Sequence, residues 1–159
     1  MRYTLFALLT VFTSPILADD LDDCLRSNVL ISSANAAVEV DAVGFDLSIT
    51  NNLTMDLGGA IVRYELWSAD RPVPLAASYA QFAHSIRGGL LSGETTTFKE
   101  FIGVTDRAKK LALSASALSV AVSLENVADL KMQPLGKSYD PFALWDEKRS
   151  NHPCEGRSD

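Results

Sequence analysis

Two histidines, two cysteines and three methionines are the chain's stock of soft ligands and of bases that work near neutral pH. A nucleophilic site needs a base, a nucleophile and a group that orients the base, all within hydrogen-bond reach. Neither His84 nor His152 has an acid and a nucleophile at motif spacing, and Ser85 beside His84 is adjacency along the chain without geometric meaning. The expectation is a protein that is not an enzyme, with no catalytic residue and no cofactor. His84, His152, Met55 and Met132 offer the imidazole and thioether groups that suit copper. They are scattered and show no ligand spacing, and methionines of this kind ordinarily fill gaps in cores. Copper binding is kept as an alternative, and no metal ligand is assigned.

The acids Asp19, Asp20, Asp22 and Asp23 raise the question of calcium. They lack the glycine and the spaced oxygens of a calcium loop. Leu21, Cys24, Leu25 and Asn28 recur at helical spacing, so the segment reads as a short helix with its acids in the first turn, where the helix dipole favours them. Cys24 and Cys154 stand near opposite ends, with no C-x-x-C and no histidine cluster. Two such thiols in an exported chain most simply form a disulfide. Closing a loop of this length would stabilise the fold by about 4–5 kcal/mol in the chain-entropy model.

Export is read from residues 1–18. Arg2 is followed by an apolar run, then Pro15, and then Ala18 as the small residue at the cut. This is the pattern of a secretory signal peptide, and the run is short of the roughly 20 apolar residues a membrane span needs. Cleavage after Ala18 leaves 141 residues, one domain's worth, and removing Arg2 takes the formal charge from −6 to −7. An acidic chain of this kind is not expected to bind nucleic acid or anionic lipid through charge. The longest remaining apolar stretch, Leu111 to Leu124, is broken by four serines, so no transmembrane segment is expected after cleavage. The expected location is periplasmic or secreted.

Strands must position whatever the chain carries. Ala60 to Ala69 is the clearest. Val62, Tyr64, Leu66 and Ser68 alternate with Arg63, Glu65 and Trp67, which on a strand separates an inward face from an outward one. Phe45, Leu47 and Ile49 alternate with Asp46, Ser48 and Thr50; Val120, Val122 and Leu124 alternate with Ser119, Ala121 and Ser123. Further strands are expected over 36–43, 73–83 and 95–102, with Leu75, Ala77 and Tyr79 sharing a face. The inward phase changes at Ala42-Val43-Gly44, which is read as a bulge in one long strand in preference to a hairpin. Thr105 followed by helix formers predicts a brief helix, and 127–135 either continues the preceding strand or returns as a last one. Asp140-Pro141 opens a tail helix that puts Phe142 and Trp145 on one side. The fold class is all-β: a single antiparallel sandwich of about seven strands over 19–159, with short helices at the N-terminus, before the last strands and in the C-terminal tail.

Three stretches carry a family resemblance. They are Leu47-Ser48-Ile49-Thr50-Asn51-Asn52, then 61–70 around Tyr64-Glu65-Leu66-Trp67, then Leu91-Ser92-Gly93-Glu94-Thr95-Thr96-Thr97-Phe98. Together they resemble the FxLYD-type domain, an immunoglobulin-like module of exported bacterial proteins. The likeness spans roughly Val38 to Ile102. Trp67-Ser68-Ala69-Asp70 stands where the family has a tyrosine-aspartate turn, and the C-terminal third has no counterpart. The resemblance implies an immunoglobulin-like sandwich and is silent on activity. Beside it stands a physical reading: Asn51 can close its strand with a side-chain hydrogen bond, and Gly93-Glu94 makes a turn.

The expected function is a non-catalytic exported module that binds a protein or envelope component through a sheet edge or loops. Glycine permits close backbone approach, which makes the Gly58-Gly59 and Gly88-Gly89 loops candidates. The alternative is an inhibitor or accessory subunit of a secreted hydrolase, using the proline-stiffened loop Asp70 to Pro74. Arg63, Glu65 and Trp67 form an outward patch, which either takes a partner or lies under Phe142 and Trp145 of the tail.

Overall fold

The computed structural model describes residues 19–81 and 88–136. Their elements run α1 (Asp19–Asn28), β1 (Val29–Val38), β2 (Ala42–Asn51), β3 (Leu57–Ser68), β4 (Ala76–Gln81), β5 (Thr95–Gly103), α2 (Asp106–Leu113) and β6 (Leu118–Asp129). They form two antiparallel three-stranded sheets, ordered β1-β2-β5 and β4-β3-β6. The two most apolar strands, β2 and β3, take the central places. Phe45, Leu47 and Ile49 of β2 and Val62, Tyr64 and Leu66 of β3 are all buried, and the residues between them are not. The Phe45 and Tyr64 rings meet edge to face across the layers, with centroids 5.0 Å apart. Such a pair adds about 0.5–1.5 kcal/mol to the burial of its area.

The chain changes sheet between β2 and β3, between β4 and β5, and through α2 between β5 and β6. Thr105 caps α2 by accepting from the Ala108 N–H, as its place before a run of helix formers predicts. On one flank β1 runs beside β6, where the Ser33 hydroxyl donates to the Val120 carbonyl. On the other flank β4 and β5 approach each other, and no ladder joins them among the described residues.

Several expectations need correcting. The phase change near Val43 is a hairpin. Its turn is closed by the Glu39 N–H on the Ala42 carbonyl at 2.8 Å and held from α2 by Lys109, which donates to the Val40 carbonyl. The bulge lies earlier, between Ala34 and Ala37 of β1. Asn35 takes a positive φ of 54° there, which asparagine tolerates better than most residues. Residues 29–35, assigned to no element from sequence, are strand. The described residues hold six strands where about seven were expected. After β6 the chain does return, with the Leu135 N–H on the Val127 carbonyl at 2.8 Å, but it makes only an isolated bridge at Pro134. Proline has no N–H to extend a ladder. Ala77 and Tyr79 share a face of β4 as expected, and it is the solvent side, with Tyr79 60% exposed; Leu75, ahead of the strand, packs against the core instead. The expected tail helix with Phe142 and Trp145 lies outside the described residues. Cys24 is not a free thiol, and Cys154 also lies outside. No described helix is long and apolar enough to cross a membrane.

Candidate functional site

Period-two alternation sends Arg63, Glu65 and Trp67 to the outer face of the β4-β3-β6 sheet. Residues two apart on a strand share a face, and Arg63 binds the Glu65 carboxylate at 2.8 Å. Its cross-strand neighbour on β4 is Tyr79, and the guanidinium stands over that ring at 6.0 Å. On the β6 side the neighbours of Arg63, Glu65 and Trp67 are Ser123, Ala121 and Ser119. Small residues therefore flank one charged pair and a half-buried indole. The Arg63 Nε is shielded from solvent and has no hydrogen-bond partner among the described residues. The structure thus groups the three β3 members of the sequence-predicted patch and adds Tyr79. Sequence reasoning did not join Tyr79 to the patch because the pairing of β4 with β3 is not written in the alternation of either strand.

Toward the start of β3 a cleft of about 170 Å³ opens where the β3–β6 register slips at Ile61/Val62. Ala60, Ile61, Asn126, Ala128, Met132 and Pro134 line it. The buried Asn126 amide works here as a clamp. Its Oδ1 accepts from the Gly136 N–H at 2.9 Å, and its Nδ2 donates to the Gly136 carbonyl at 3.1 Å.

Gly58-Gly59, expected in a loop, lies inside β3, and the Gly88-Gly89 segment packs on the start of that strand. Leu57 and Leu90 exchange backbone hydrogen bonds at 2.9 and 2.8 Å. A Cβ on Gly89 would lie 2.1 Å from the Leu57 carbonyl oxygen, and one on Gly58 would lie 2.1 Å from that of Asp129. The close approach that glycine permits is realised within the chain at these two positions. Asn51 ties the same corner together. It is fully buried, donates from Nδ2 to the Met55 and Leu90 carbonyls, and accepts the Leu53 N–H at Oδ1. Its backbone bonds the turn before β5: Asn51 N–H to the Glu94 carbonyl at 2.9 Å, and Gly93 N–H to the Asn51 carbonyl at 2.7 Å.

The loop after β3 is stiffened at its base. Asp70 accepts the Ser116 N–H and hydroxyl, each at 2.9 Å. Those bonds hold its carboxyl below the usual carboxylate range. Beyond it Val73 stands exposed.

On the β4/β5 flank, Glu100 of β5 points to the inner side, opposite Phe45 in the ladder and beside the half-buried Phe98 and buried Ile102. Burial pushes its carboxyl above the ordinary value, with the Phe101 N–H acting against it. The buried Tyr64 hydroxyl is pushed up as well, first by burial and then by the charge of Glu100. Sequence reading overlooked this pair, although a glutamate between Phe98 and Ile102 at even spacing was a legible sign. Of the copper candidates, Met55 packs against the core and Met132 is exposed at the cleft, while His84 and His152 lie outside the described residues. No group of three or more histidine, cysteine, aspartate or glutamate side chains gathers as metal ligands among the described residues. Compared with known protein families, curated proteins and solved structures, the chain matches none.

Proposed function

We propose that the chain is an exported, non-catalytic binding module built as an immunoglobulin-like sandwich, with Cys24 bridged to Cys154 and residues 1–18 removed as a signal peptide. The observation that carries the fold part is a convergence. Two of the three stretches that resemble the FxLYD-type domain meet in space, through the backbone bonds between Asn51 and the Gly93-Glu94 turn. The strand order supports it too. An immunoglobulin sandwich pairs its first, second and fifth strands in one layer and sets its third beside its sixth in the other. The orders β1-β2-β5 and β4-β3-β6 follow that plan. Asn51 and Asn126 are committed to backbone groups of the fold, which is the use a scaffold makes of buried amides. Such a scaffold presents its edges, its outer face at Arg63, Glu65 and Trp67, and its loops to a partner that is an exported protein or an envelope component.

The test immobilises the mature chain, residues 19–159, and challenges it with an envelope fraction. Stable stoichiometric capture of an envelope protein supports the module. Turnover of an envelope substrate by the purified chain would replace this reading with an enzyme. A second reading, an inhibitor or accessory subunit of a secreted hydrolase, draws on the Asp70–Ser116 bonds that brace the loop under Val73. Tight capture of a hydrolase, abolished by Val73→Asp, would favour it.

A further inference from the structure

β5 is nine residues long, and its only ladder among the described residues is with β2. It carries no proline and no bulge, two of the usual devices that blunt an exposed strand edge. It does carry a carboxylate on its inner side. Glu100 faces into the layer gap, flanked two residues away on each side by Phe98 and Ile102, with Tyr64 close enough to feel its charge. No lysine or arginine among the described residues forms an ion pair with it. The nearest cation along the strand, Lys99, is on the opposite face and binds Glu39 at 3.2 Å.

We infer that the edge of β5 left without a ladder among the described residues is a docking site for an extended peptide segment with a lysine or arginine placed opposite Glu100 and apolar residues two positions to either side. This rests on the binding-module reading and names the partner's chemistry. A strand laid along β5 gains main-chain hydrogen bonds, and its alternate side chains enter the gap between the sheets. There the basic residue neutralises a carboxylate for which the described residues supply no counter-ion, while its neighbours cover Phe98 and Ile102. An inward charge on an edge deters any strand that cannot neutralise it, and that deterrence is the selectivity. A second copy of this chain is a poor occupant. Same-face antiparallel pairing of two β5 strands sets Glu100 opposite Thr96, Phe98 or another Glu100 according to register, and Lys99 stays on the wrong side.

The experiment uses the mature chain and three synthetic heptapeptides of alternating threonine and valine, whose central inward residue is lysine, leucine or glutamate. Binding is followed by nitrogen–proton chemical shifts and by amide exchange. The lysine peptide is expected to bind, to protect amides of 95–103, and to lose about ten-fold in affinity with Glu100→Gln, the loss of one charge-assisted hydrogen bond. N-methylation of alternate peptide amides on the ladder side should abolish binding. Equal affinity for the lysine and glutamate peptides, protection that maps away from 95–103, a lysine peptide that does not bind, or a chain that dimerises through β5 would each overturn the inference. If an envelope partner is captured undiminished by Glu100→Gln, the binding module stands and this site falls.

Discussion

The side-chain amide of Asn51 donates to the carbonyl of Leu90 at 3.1 Å, inside a corner from which solvent is excluded. The same nitrogen reaches the Met55 carbonyl, and the amide oxygen takes the Leu53 N–H. One residue thereby bonds three main-chain groups, two of which, the Met55 carbonyl and the Leu53 N–H, lie outside any strand pairing; the third, the Leu90 carbonyl, also accepts the Leu57 N–H. A buried main-chain group left unpaired costs about 1–3 kcal/mol, so this amide adds materially to the Leu57–Leu90 and Asn51–Gly93/Glu94 backbone bonds that also hold the corner.

Asn51→Ala should destabilise the domain by about 2–4 kcal/mol, because it strands the Met55 carbonyl and the Leu53 N–H, while the Leu90 carbonyl keeps the Leu57 N–H. Urea denaturation checks it: the midpoint should fall with the slope unchanged. A loss under about 0.5 kcal/mol, the size of an ordinary surface substitution, would mean that water takes over the role.

Gly88 and Gly89 are adjacent, both have positive φ, and they should respond differently to alanine. At Gly88 a Cβ enters open space, so Gly88→Ala carries only the left-handed strain of about 1–2 kcal/mol. At Gly89 the Cβ would also drive into the Leu57 carbonyl oxygen. Gly89→Ala should therefore cost clearly more, and Gly58→Ala, facing the Asp129 carbonyl, should behave alike. Thermal midpoints of the three variants settle the order; equal costs at Gly88 and Gly89 would contradict the packing described.

The inner side of the sandwich should show in the pH dependence of stability. Tyr64 has its folded pKa raised, so the folded state keeps the proton that the unfolded state releases above about pH 10. Stability falls as pH rises beyond that point, by up to about 1.4 kcal/mol per pH unit for one proton. Tyr64→Phe should flatten that alkaline limb. Glu100 is raised as well, so its charged form is disfavoured in the fold, and the cost appears as pH rises through its folded pKa. Glu100→Gln should therefore stabilise the free chain at neutral pH, with the gain vanishing below the ordinary glutamate value of 4.5. A destabilised Glu100→Gln variant would show that the carboxylate has a counter-ion.

Phe45→Ala should cost about 3–5 kcal/mol, since it removes a fully buried ring and its edge contact with Tyr64. Phe45→Leu keeps most of the volume and should cost well under half of that. Calorimetry on the two variants separates volume from ring geometry.

The proposed Cys24–Cys154 bridge predicts that the unfolded, unreduced chain takes up no thiol label. Reduction should lower stability by up to about 4–5 kcal/mol. Uptake of label without reductant would remove the bridge, and with it one support for export.

How much of this was readable in the residues follows from what burial does to a pattern. On β2, β3 and β6 one side is core and the other is not, so hydrophobic period two appears directly at Phe45 to Ile49, Val62 to Ser68 and Val120 to Leu124. Helices α1 and α2 were legible through their caps and spacing, which are local chemistry. β1 was hidden because its sides are mixed: Leu30 is exposed while Ser33 turns inward to bond the Val120 carbonyl. On β4 the shared face of Ala77 and Tyr79 was legible, but not that it turns outward, where the Tyr79 ring lies under Arg63.

The residues alone determined the alternation of the central strands, the turn glycines and the capped helices, because each depends on neighbours a few positions away. They also marked Arg63, Glu65 and Trp67 as one outward face. Only the tertiary structure decided that Gly89 packs on the start of β3, that Asn51 bonds both Met55 and Leu90, and that Glu100 lies on the inner side of a strand edge with no ladder among the described residues, near Tyr64. Those facts depend on which segments the folded chain brings together across long separations, and period and composition carry no record of that pairing.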